Sequence, residues 1–427
     1  MGLPSMMHRA KILTAIDIGT TKVCTVIGER SEMGSLSVLG HSVVPCEGLV
    51  KGVIENLVAT QISVRASVKE AEAKAGVKIG SAYVGITGSH VSFENRSDVL
   101  SWVGRHGVIT SADLTQVPDN VAEYSKGIGR KVLHAIPISY SLDGQPGIKD
   151  PLGMHTRRLE VKTHVVTGAA APMEQLVKAV EGTGIRVEGL VLESLASSEA
   201  VLTPMEKAGG CVLIDIGGGT TEVIAYRAGS MYYTSAIPVG GFQFTNDICL
   251  TYNTPYDCAE EAKLNFASTE PDSVRPHEEF TLEIVGRSTT LTLPRRDLCQ
   301  LTRERAQELA RLIALKLRDA EIADLSEVNL ILTGGAAKLA GFEAMLKKIL
   351  TPRVRIGSPM PLPGMLEELQ QPDFATSVGI LLWAAEQKSK EATNRANGNG
   401  ASNSEREPVG SGSGVSRILN PFKWGSR

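Results

Sequence analysis

The sequence lacks the cysteine spacing of a zinc site. None of its six cysteines forms a Cys-x-x-Cys pair with another. This spacing argues against structural zinc, whose ligands usually come in closely spaced pairs. Isolated thiols are instead typical of a protein that works in a reducing cytoplasm.

Long apolar runs and a strong net charge are also missing. No segment approaches the roughly 18 apolar residues that a membrane-spanning helix needs. The formal net charge is −3, which gives no reason to expect nucleic acid as a partner. We therefore expect a cytosolic body of two to four structural units. Any membrane contact should come from a smaller element than a spanning helix.

One phrase occurs twice in the chain. Residues 15–23 read AIDIGTTKV, and residues 213–223 read LIDIGGGTTEV. In each copy an apolar strand ends in Asp, a glycine turn and two threonines follow, and a return strand begins. Glycines let backbone N–H groups approach a phosphate closely. An Asp beside a phosphate implies an intervening cation, for which Mg²⁺ is the natural choice. The repeat therefore predicts two hairpins that hold Mg-ATP from both sides.

The predicted phosphate-binding residues are the polar and glycine positions of these hairpins: Asp17, Gly19, Thr20, Thr21, Lys22, Asp215, Gly217, Gly218, Gly219, Thr220 and Thr221. Asp17 and Asp215 are the predicted Mg²⁺ ligands, through water. Lys22 is expected to reach β- or γ-phosphate oxygens as a point charge. A third element, the apolar strand at 328–333, runs into Gly334, Gly335 and Lys338. A base or ribose could lie against that turn.

These motifs resemble those of the actin, sugar-kinase and heat-shock ATPase superfamily. Within it, about the first 387 residues resemble the FtsA family of bacterial cell-division proteins. The more specific phrases are 85–90 (GITGSH), 238–241 (PVGG) and 332–341, with a polar linker that ends in an amphipathic tip. The resemblance implies an α/β, actin-like fold of two lobes, each ribonuclease-H-like, with an inserted α+β subdomain and a disordered C-terminal linker.

Changes in sequence texture give the expected boundaries of these parts. They are core lobe 1 at 10–80 and 164–204, the inserted small subdomain at 81–163, core lobe 2 at 205–244 and 326–387, a second small, partner-binding subdomain at 245–325, the linker at 388–413 and the tip at 414–427. The linker is assigned to disorder because its polar, Gly/Ser/Asn-rich composition cannot bury a core.

The resemblance also implies further site residues. Gly240 and Gly241 match the family turn near the nucleotide, and Glu260 and Lys263 match a Glu-x-x-Lys helix beside ribose and base. Two solvated helix charges are an equal reading of the last pair. Glu193 is placed like the catalytic glutamate of a related rod-shape protein. Glu199 competes with it for that role, and either could be a structural carboxylate. His90 is interpreted as structural.

The tip carries the pattern of an in-plane amphipathic helix. Val415, Ile418, Leu419 and Phe422 are spaced i, i+3, i+4 and i+7, so they share one helical face. Trp424 suits a membrane interface, and basic residues lie off the stripe. Pro421 interrupts the helix and favours the alternative of a frayed tail. We expect binding to an anionic membrane surface.

The resemblance implies that the chain polymerises with itself, binds ATP with at most weak hydrolysis, and tethers FtsZ to the cytoplasmic face of the cell membrane at the division septum, with downstream division proteins as further partners. Arg295, Arg296 and Arg303 are candidates for receiving the acidic C-terminal peptide of FtsZ, and a solvated helix face is the alternative. The alternative functions are a small-molecule kinase and a pilus-assembly ATPase of the same superfamily.

Overall fold

The protein is described by a computed structural model, which covers residues 11–400 apart from 32, 102, 104–106, 126, 287–289 and 323. The predicted membrane residues Val415, Ile418, Leu419, Phe422 and Trp424 therefore lie outside the described residues. In the part of the chain that the structure covers, no helix combines the length and the apolarity needed to cross a membrane.

The chain begins with most of one β-sheet and its covering helix. The elements are β1 (Lys11–Ile18), β2 (Lys22–Arg30), β3 (Leu36–Pro45), the short β4 (Leu49–Val50) and β5 (Val53–Ile54), α1 (Leu57–Ala75) and β6 (Ser81–Ile86). The sequence predicts a helix from about Leu57 to Ala75 that ends at Gly76, and the structure confirms these bounds. The Asn56 side chain accepts a hydrogen bond from the Ala59 N–H at its start. Gly76 ends it with a left-handed φ of 68°.

A separate antiparallel sheet is inserted next. It comprises β7 (Val91–Leu100), α2 (Ser111–Tyr124), β8 (Arg130–Leu142), β9 (Gln145–Ile148) and β10 (Leu159–Ala169), in the strand order β7-β10-β8-β9. The predicted start of this subdomain at residue 81 is too early. β6 pairs with β1 in the first sheet, so the inserted sheet begins only after Ile86.

The chain then returns to complete the first sheet. The returning elements are α3 (Ala170–Glu181), β11 (Arg186–Leu192) and α4 (Glu193–Val201), and the finished sheet has the order β11-β6-β1-β2-β3. β2 is antiparallel to β1 and β3, whereas β6 is parallel to β1 and β11. The buried parts of β1 and β2 are mostly apolar, and helices pack against both strands.

The second lobe repeats this arrangement. Its elements are α5 (Pro204–Gly209), β12 (Cys211–Ile216), β13 (Thr221–Arg227), β14 (Ser230–Ile237), β17 (Leu330–Thr333), α9 (Phe342–Ile349) and β18 (Val354–Ile356). Its strand order, β18-β17-β12-β13-β14, matches the order β11-β6-β1-β2-β3 of the first sheet strand for strand. The antiparallel and parallel neighbours are also the same. This duplication confirms the predicted actin-like, two-lobed α/β fold.

A small subdomain is inserted in the second lobe. It consists of α6 (Gly241–Tyr252), α7 (Tyr256–Phe266), β15 (Glu279–Glu283), β16 (Thr290–Pro294) and the long α8 (Arg295–Asp319). The sequence predicts a mostly helical stretch at 242–266, and the structure divides it into two helices. Asn253 ends the first in a left-handed conformation with φ 51°, and Pro255 precedes the second.

The last helix, α10 (Ala375–Gly400), extends well beyond its predicted end. The prediction of a disordered linker from residue 388 is therefore wrong as far as Gly400. Lys388 pairs with Glu188 of β11 at 2.7 Å, and Arg30 of β2 donates to the Ser389 hydroxyl at 2.7 Å. These two contacts dock the stretch at residues 388–389 of the helix on the first lobe.

Candidate functional site

A cavity of about 450 Å³ lies between the two lobes, and we call it the central cavity. This volume is within the usual range for a small-molecule site. Its lining includes most of the residues singled out by sequence: Asp17, Gly19, Thr20, Thr21, Lys22, Glu193, Asp215, Gly217, Gly218, Gly219, Thr220, Gly241, Glu260, Lys263, Gly334, Gly335 and Lys338. The lining extends from Asp17 to Thr376, which are 359 positions apart, so distant parts of the chain converge on one site.

The two hairpins have turns of equal length. The Gly19 N–H donates to the Lys22 carbonyl at 2.9 Å, and the Gly217 N–H donates to the Thr220 carbonyl at 2.9 Å. Matching threonine to threonine in the sequence implies a second turn longer by two residues. The hydrogen bonds instead make Lys22 equivalent to Thr220. The two threonines of the first turn then correspond to Gly218 and Gly219 of the second. The hairpins are therefore structural equivalents with different chemistry.

Glycines in the second turn leave space for the threonine side chains of the first turn. A Cβ on Gly219 would lie 2.5 Å from the Thr20 hydroxyl oxygen and 3.2 Å from the Lys51 backbone. A Cβ on Gly218 would lie 3.0 Å from the Thr21 methyl carbon. The turns thus face each other across the central cavity at a separation that a side chain on the second turn would close.

Asp17 and Asp215 occupy matching positions near the ends of β1 and β12. Each is 8% exposed, and each accepts hydrogen bonds from helix hydroxyls, Asp17 from α10 and Asp215 from both α4 and α10. Ser377 donates to Asp17 at 2.7 Å, while Ser197 and Thr376 donate to Asp215, the latter at 3.1 Å. Burial raises the pKa of Asp17, and burial raises the pKa of Asp215 to about 6 despite its hydroxyl donors.

Two further glutamates, one half-buried and one buried, add to this acidic cluster. Glu193, the first residue of α4, lines the central cavity, and its pKa is raised by burial and then by Asp17. Glu222 of β13 is 4% exposed and lies beside a smaller cavity with Ser194. Neither Glu222 oxygen has a well-formed hydrogen bond with a described residue. Burial and the charge of Asp215 raise the pKa of Glu222 to about 8.

The competing candidate Glu199 is placed differently. Its carboxylate pairs with Lys207 at 2.9 Å, and it does not line the central cavity. His90 also lies outside the cavity lining, and neither ring nitrogen has a hydrogen-bond partner among the described residues. Of Glu193 and Glu199, the two candidates for the catalytic glutamate, only Glu193 lines the central cavity.

The Glu-x-x-Lys pair lies on α7 at the cavity wall. Lys263 pairs with Glu260 at 2.7 Å and donates to the Thr245 hydroxyl at 2.9 Å. Phe242 and Tyr256 stack with ring centroids 5.6 Å apart and line the same wall. Sequence reasoning missed this aromatic pair, although Phe242 directly follows the predicted Gly240-Gly241 turn.

Two predicted residues support the cavity without lining it. Thr221 is buried and donates to the Val239 carbonyl at 2.7 Å. Gly240 packs on the second hairpin, where a Cβ would lie 2.6 Å from the Gly217 carbonyl oxygen. Both residues hold the turn at 238–241 against the hairpin, so they shape the cavity indirectly.

The residues just before and within the first turn of α10 are the main omission of the sequence analysis. Pro372, Asp373 and Thr376 line the cavity, and Ser377 bonds to Asp17. Asp373 lies between two predicted nucleotide-binding lysines, Lys22 and Lys338. The only local signal for this segment is a Pro-Asp-Phe phrase followed by Thr and Ser at a helix start.

The three candidate partner arginines are all paired within their own subdomain. Arg295 bonds to Glu278 at 2.5 Å, while Arg296 and Arg303 share Asp272 at 3.0 and 3.3 Å. Their charges are therefore compensated locally. An acidic peptide bound here would have to displace Asp272 or Glu278.

The residues fit a nucleotide phosphate chain and a hydrated cation. The glycine turns form a cradle that a Cβ would fill, and buried Asp17 and Asp215 are carboxylates whose ionised forms a nearby cation would stabilise. Among the described residues, no three His, Cys, Asp or Glu side chains are grouped to chelate a metal directly.

Comparison with known proteins identifies the family. Residues 212–379 match the sequence model of the family described as "Cell division protein FtsA". Cell division protein FtsA of Pseudomonas aeruginosa is 34% identical over 404 residues, which are 94% of this chain and 96% of that protein. The chain belongs to the FtsA family. The Escherichia coli K12 member is 31% identical over 388 residues, covering 88% of this chain and 91% of that protein.

The family also accounts for the inserted sheet. Residues 88–167 match the "SHS2 domain inserted in FTSA", and this range starts just after β6 and ends within β10. It thus agrees with the corrected boundary of the inserted subdomain. Among solved structures, a PilM–PilN type IV pilus biogenesis complex shares the fold, with a TM-score of 0.60 over 87% of this chain and 98% of that chain. At 16% identity, this likeness shows the fold alone.

Proposed function

We propose that the chain is an ATP-binding, actin-like cell-division protein that polymerises on the cytoplasmic membrane and tethers FtsZ there. Membership of the FtsA family supports a role in cell division. The observation that carries the nucleotide part is the facing pair of Asp-containing hairpins, which contribute to one cavity from both lobes. ATP bound between the lobes would link nucleotide state to their relative position.

In this proposal, different residues of the cavity bind different parts of the nucleotide. Backbone N–H groups of both glycine turns and the threonine hydroxyls hold the phosphates. Asp17 and Asp215 hold Mg²⁺ through water, which neutralises the phosphate charge. Lys263 and Glu260 lie on the wall that carries the aromatic pair, which suits the ribose and base. Glu193, which belongs to the same cavity, is assigned to water orientation in any slow hydrolysis.

Replacing Gly219 with valine should lower ATP affinity by at least about tenfold, because the new side chain would occupy the gap between the hairpins. Isothermal titration of the full chain with Mg-ATP measures this. Gly80→Val is the matched control, since nothing lies within 4 Å of its Cβ position. Absence of ATP binding by the unaltered protein would overturn the nucleotide assignment. Unchanged affinity in a folded Gly219→Val protein would overturn the proposed phosphate path.

Membrane attachment is proposed for the tip, from its sequence pattern. Burying four apolar side chains at about 1.5–3 kcal/mol each gives about 6–12 kcal/mol. Ordering about ten residues costs about 1 kcal/mol or more for each residue, which removes most of this gain. One tip therefore binds weakly, and a filament carrying many tips binds firmly. Polymerisation and membrane residence are thus coupled in this proposal.

Changing Phe422 and Trp424 to glutamate should release the full chain from anionic liposomes, because it places one charge on the apolar stripe and replaces the interfacial tryptophan with another. Co-sedimentation with vesicles measures the bound fraction. The matched control is Ser416→Glu with Asn420→Glu, which adds the same charge to the same segment at positions that lie off the apolar stripe. Retention of the first variant on liposomes would contradict the anchor. Equal release of both variants would show charge repulsion instead.

FtsZ is proposed as the partner on the strength of family membership. The small subdomain at 245–325 is the proposed receiving surface, with Arg295, Arg296 and Arg303 on or near the start of α8. Since these arginines already bind Glu278 and Asp272, an acidic peptide would gain affinity only by replacing those carboxylates. The proposed contact is therefore an exchange of ion pairs.

A further inference from the structure

Asp373 makes an ion-paired bridge between the two lobes. Lys22 of β2 donates to the Asp373 carboxylate at 3.2 Å and to its backbone carbonyl at 2.8 Å. Lys338, which follows β17, donates to the other carboxylate oxygen at 2.9 Å. One carboxylate thus engages a cation from the first lobe and a cation from the second, and all three residues line the central cavity.

Asp373 is held by two lysine ammonium groups, as a bound anion would be. Burial alone would raise its pKa, but Lys22 and Lys338 outweigh this effect and hold the pKa below its usual value. The carboxylate is therefore ionised at neutral pH. The side chains of Asp373 and Lys22 are 21% and 25% exposed, so solvent screens the pair only in part. A phosphate placed near these lysines would meet both cations and would repel the carboxylate.

We propose that Asp373 is an internal competitor for the nucleotide phosphates, holding Lys22 and Lys338 until the phosphates of ATP take its place. This inference rests on the proposed binding of ATP in the central cavity. A carboxylate and a phosphate are both oxyanions that accept hydrogen bonds from lysine, so either can satisfy the same ammonium groups. Asp373 then sets the affinity for phosphate-bearing ligands without contacting them as a binding residue.

The exchange would be transmitted to α10. Phe374, the residue after Asp373, is 4% exposed, and the Lys22 ammonium lies 3.6 Å from the centre of its ring. Thr376 and Ser377 follow in the first turn of α10 and bond to Asp215 and Asp17. When Asp373 releases Lys22 and Lys338, the segment that leads into α10 loses these contacts. The next turn of this segment binds Asp17 and Asp215. Asp373 is thus a positioning residue for the start of α10.

Asp373→Asn in the full chain tests the competitor role. The substitution keeps the side-chain shape but removes the charge, so it should tighten Mg-ATP binding by about tenfold, a 1.4 kcal/mol change in binding free energy. AMP, which lacks the outer phosphates, should change less when measured by displacement of a fluorescent ATP analogue. Asp272→Asn is the matched control, because Asp272 also bridges two cations but lies outside the cavity. It should leave both affinities unchanged.

The possible results separate this inference from the function on which it rests. If the unaltered protein does not bind ATP, the proposed function fails. If it binds ATP and Asp373→Asn binds equally or more weakly, the competitor role fails, because Asp373 would then support the lysines instead of occupying them. Equal tightening for ATP and AMP would also overturn it, since the effect would not depend on the outer phosphates. A circular dichroism melt confirms that each variant is folded.

Discussion

Replacing Gly379 with alanine is expected to destabilise the protein severely. A Cβ at this position of α10 would lie 1.9 Å from the Ala196 carbonyl oxygen of α4. Alanine favours a helix over glycine by about 1 kcal/mol. Overpacking a core costs about 1–3 kcal/mol and sometimes more. Since the obstacle here is backbone, which cannot rotate away, we expect the upper end of that range. The net loss should be at least about 2 kcal/mol, out of the roughly 5–15 kcal/mol typical of folded domains.

Urea denaturation followed by circular dichroism measures this loss as a lower transition midpoint. Gly209→Ala is the matched control, because Gly209 is also helical but nothing lies within 4 Å of its Cβ position. That variant should be as stable as the original protein or slightly more stable. A Gly379→Ala protein with an unchanged or higher midpoint would refute the close packing of α4 against α10.

This close packing matters for the site because the two helices supply the hydroxyls that bind the aspartates. Ser197 belongs to α4, while Thr376 and Ser377 belong to α10. A shift of α10 would change the donors of both aspartates together, and a shift of α4 would change the Ser197 donor of Asp215. Gly379→Ala should therefore weaken ATP binding as well as stability, whereas Gly209→Ala should affect neither appreciably.

The hairpins could be predicted from sequence because their information is local. An apolar strand, an Asp and a glycine turn are adjacent in the chain, and the second copy gives an internal check. The bounds of α1 were readable for the same reason, since Gly76 marks its end directly. The register of the repeat was not readable, because two extra glycines in the phrase suggest a longer turn. Only the hydrogen bonds from Gly19 and Gly217 show that the turns have equal length.

The α10 contributions could not be predicted because their partners are far away in sequence. Ser377 bonds to Asp17 across 360 positions, and Asp373 pairs with Lys22 across 351. Nothing in the local pattern indicates that these hydroxyls and this carboxylate face the cavity. The true end of α10 was missed for a related reason. Lys388 looks like linker composition until Glu188 of a distant strand is placed beside it.

Replacing Asp215 with asparagine should stabilise the protein at alkaline pH when Mg²⁺ and nucleotide are absent. The pKa of Asp215 is raised from 3.8 to about 6, mainly because the residue is buried. A carboxyl whose folded-state pKa is raised favours folding when it is protonated. That contribution is lost as pH rises from about 4 through about 6. Asparagine is neutral throughout, and its amide oxygen can still accept hydrogen bonds from Ser197 and Thr376.

The size of this stabilisation follows from the pKa shift of Asp215. About two pKa units, at 1.36 kcal/mol each, correspond to about 3 kcal/mol above pH 6 and to little difference near pH 4. Thermal or urea unfolding of both proteins in chelator, at pH 5 and pH 8, measures the change in their difference. Comparing the two proteins cancels titrating groups that do not interact with Asp215, including buried His134 and His164, whose pKa values are lowered to about 3 and about 4 by burial. Glu222 does not cancel, because the charge of Asp215 helps to raise its pKa, and loss of that charge adds to the gain at pH 8 in the same direction. Asp272→Asn, at an exposed position, should show no such pH-dependent gain.

The same substitution should have the opposite effect once Mg-ATP is present. Bound cation and nucleotide stabilise a folded protein in proportion to their affinity. The unaltered protein should therefore gain stability with Mg-ATP, and Asp215→Asn should gain much less, because a neutral amide attracts a hydrated cation weakly. A variant that is less stable than the original at pH 8 in chelator would refute the destabilising role of the buried charge. A variant that keeps the full Mg-ATP gain would refute its role at the cation. The expected crossing of the two stabilities follows from one property: a carboxylate that is costly to bury alone becomes favourable beside a cation.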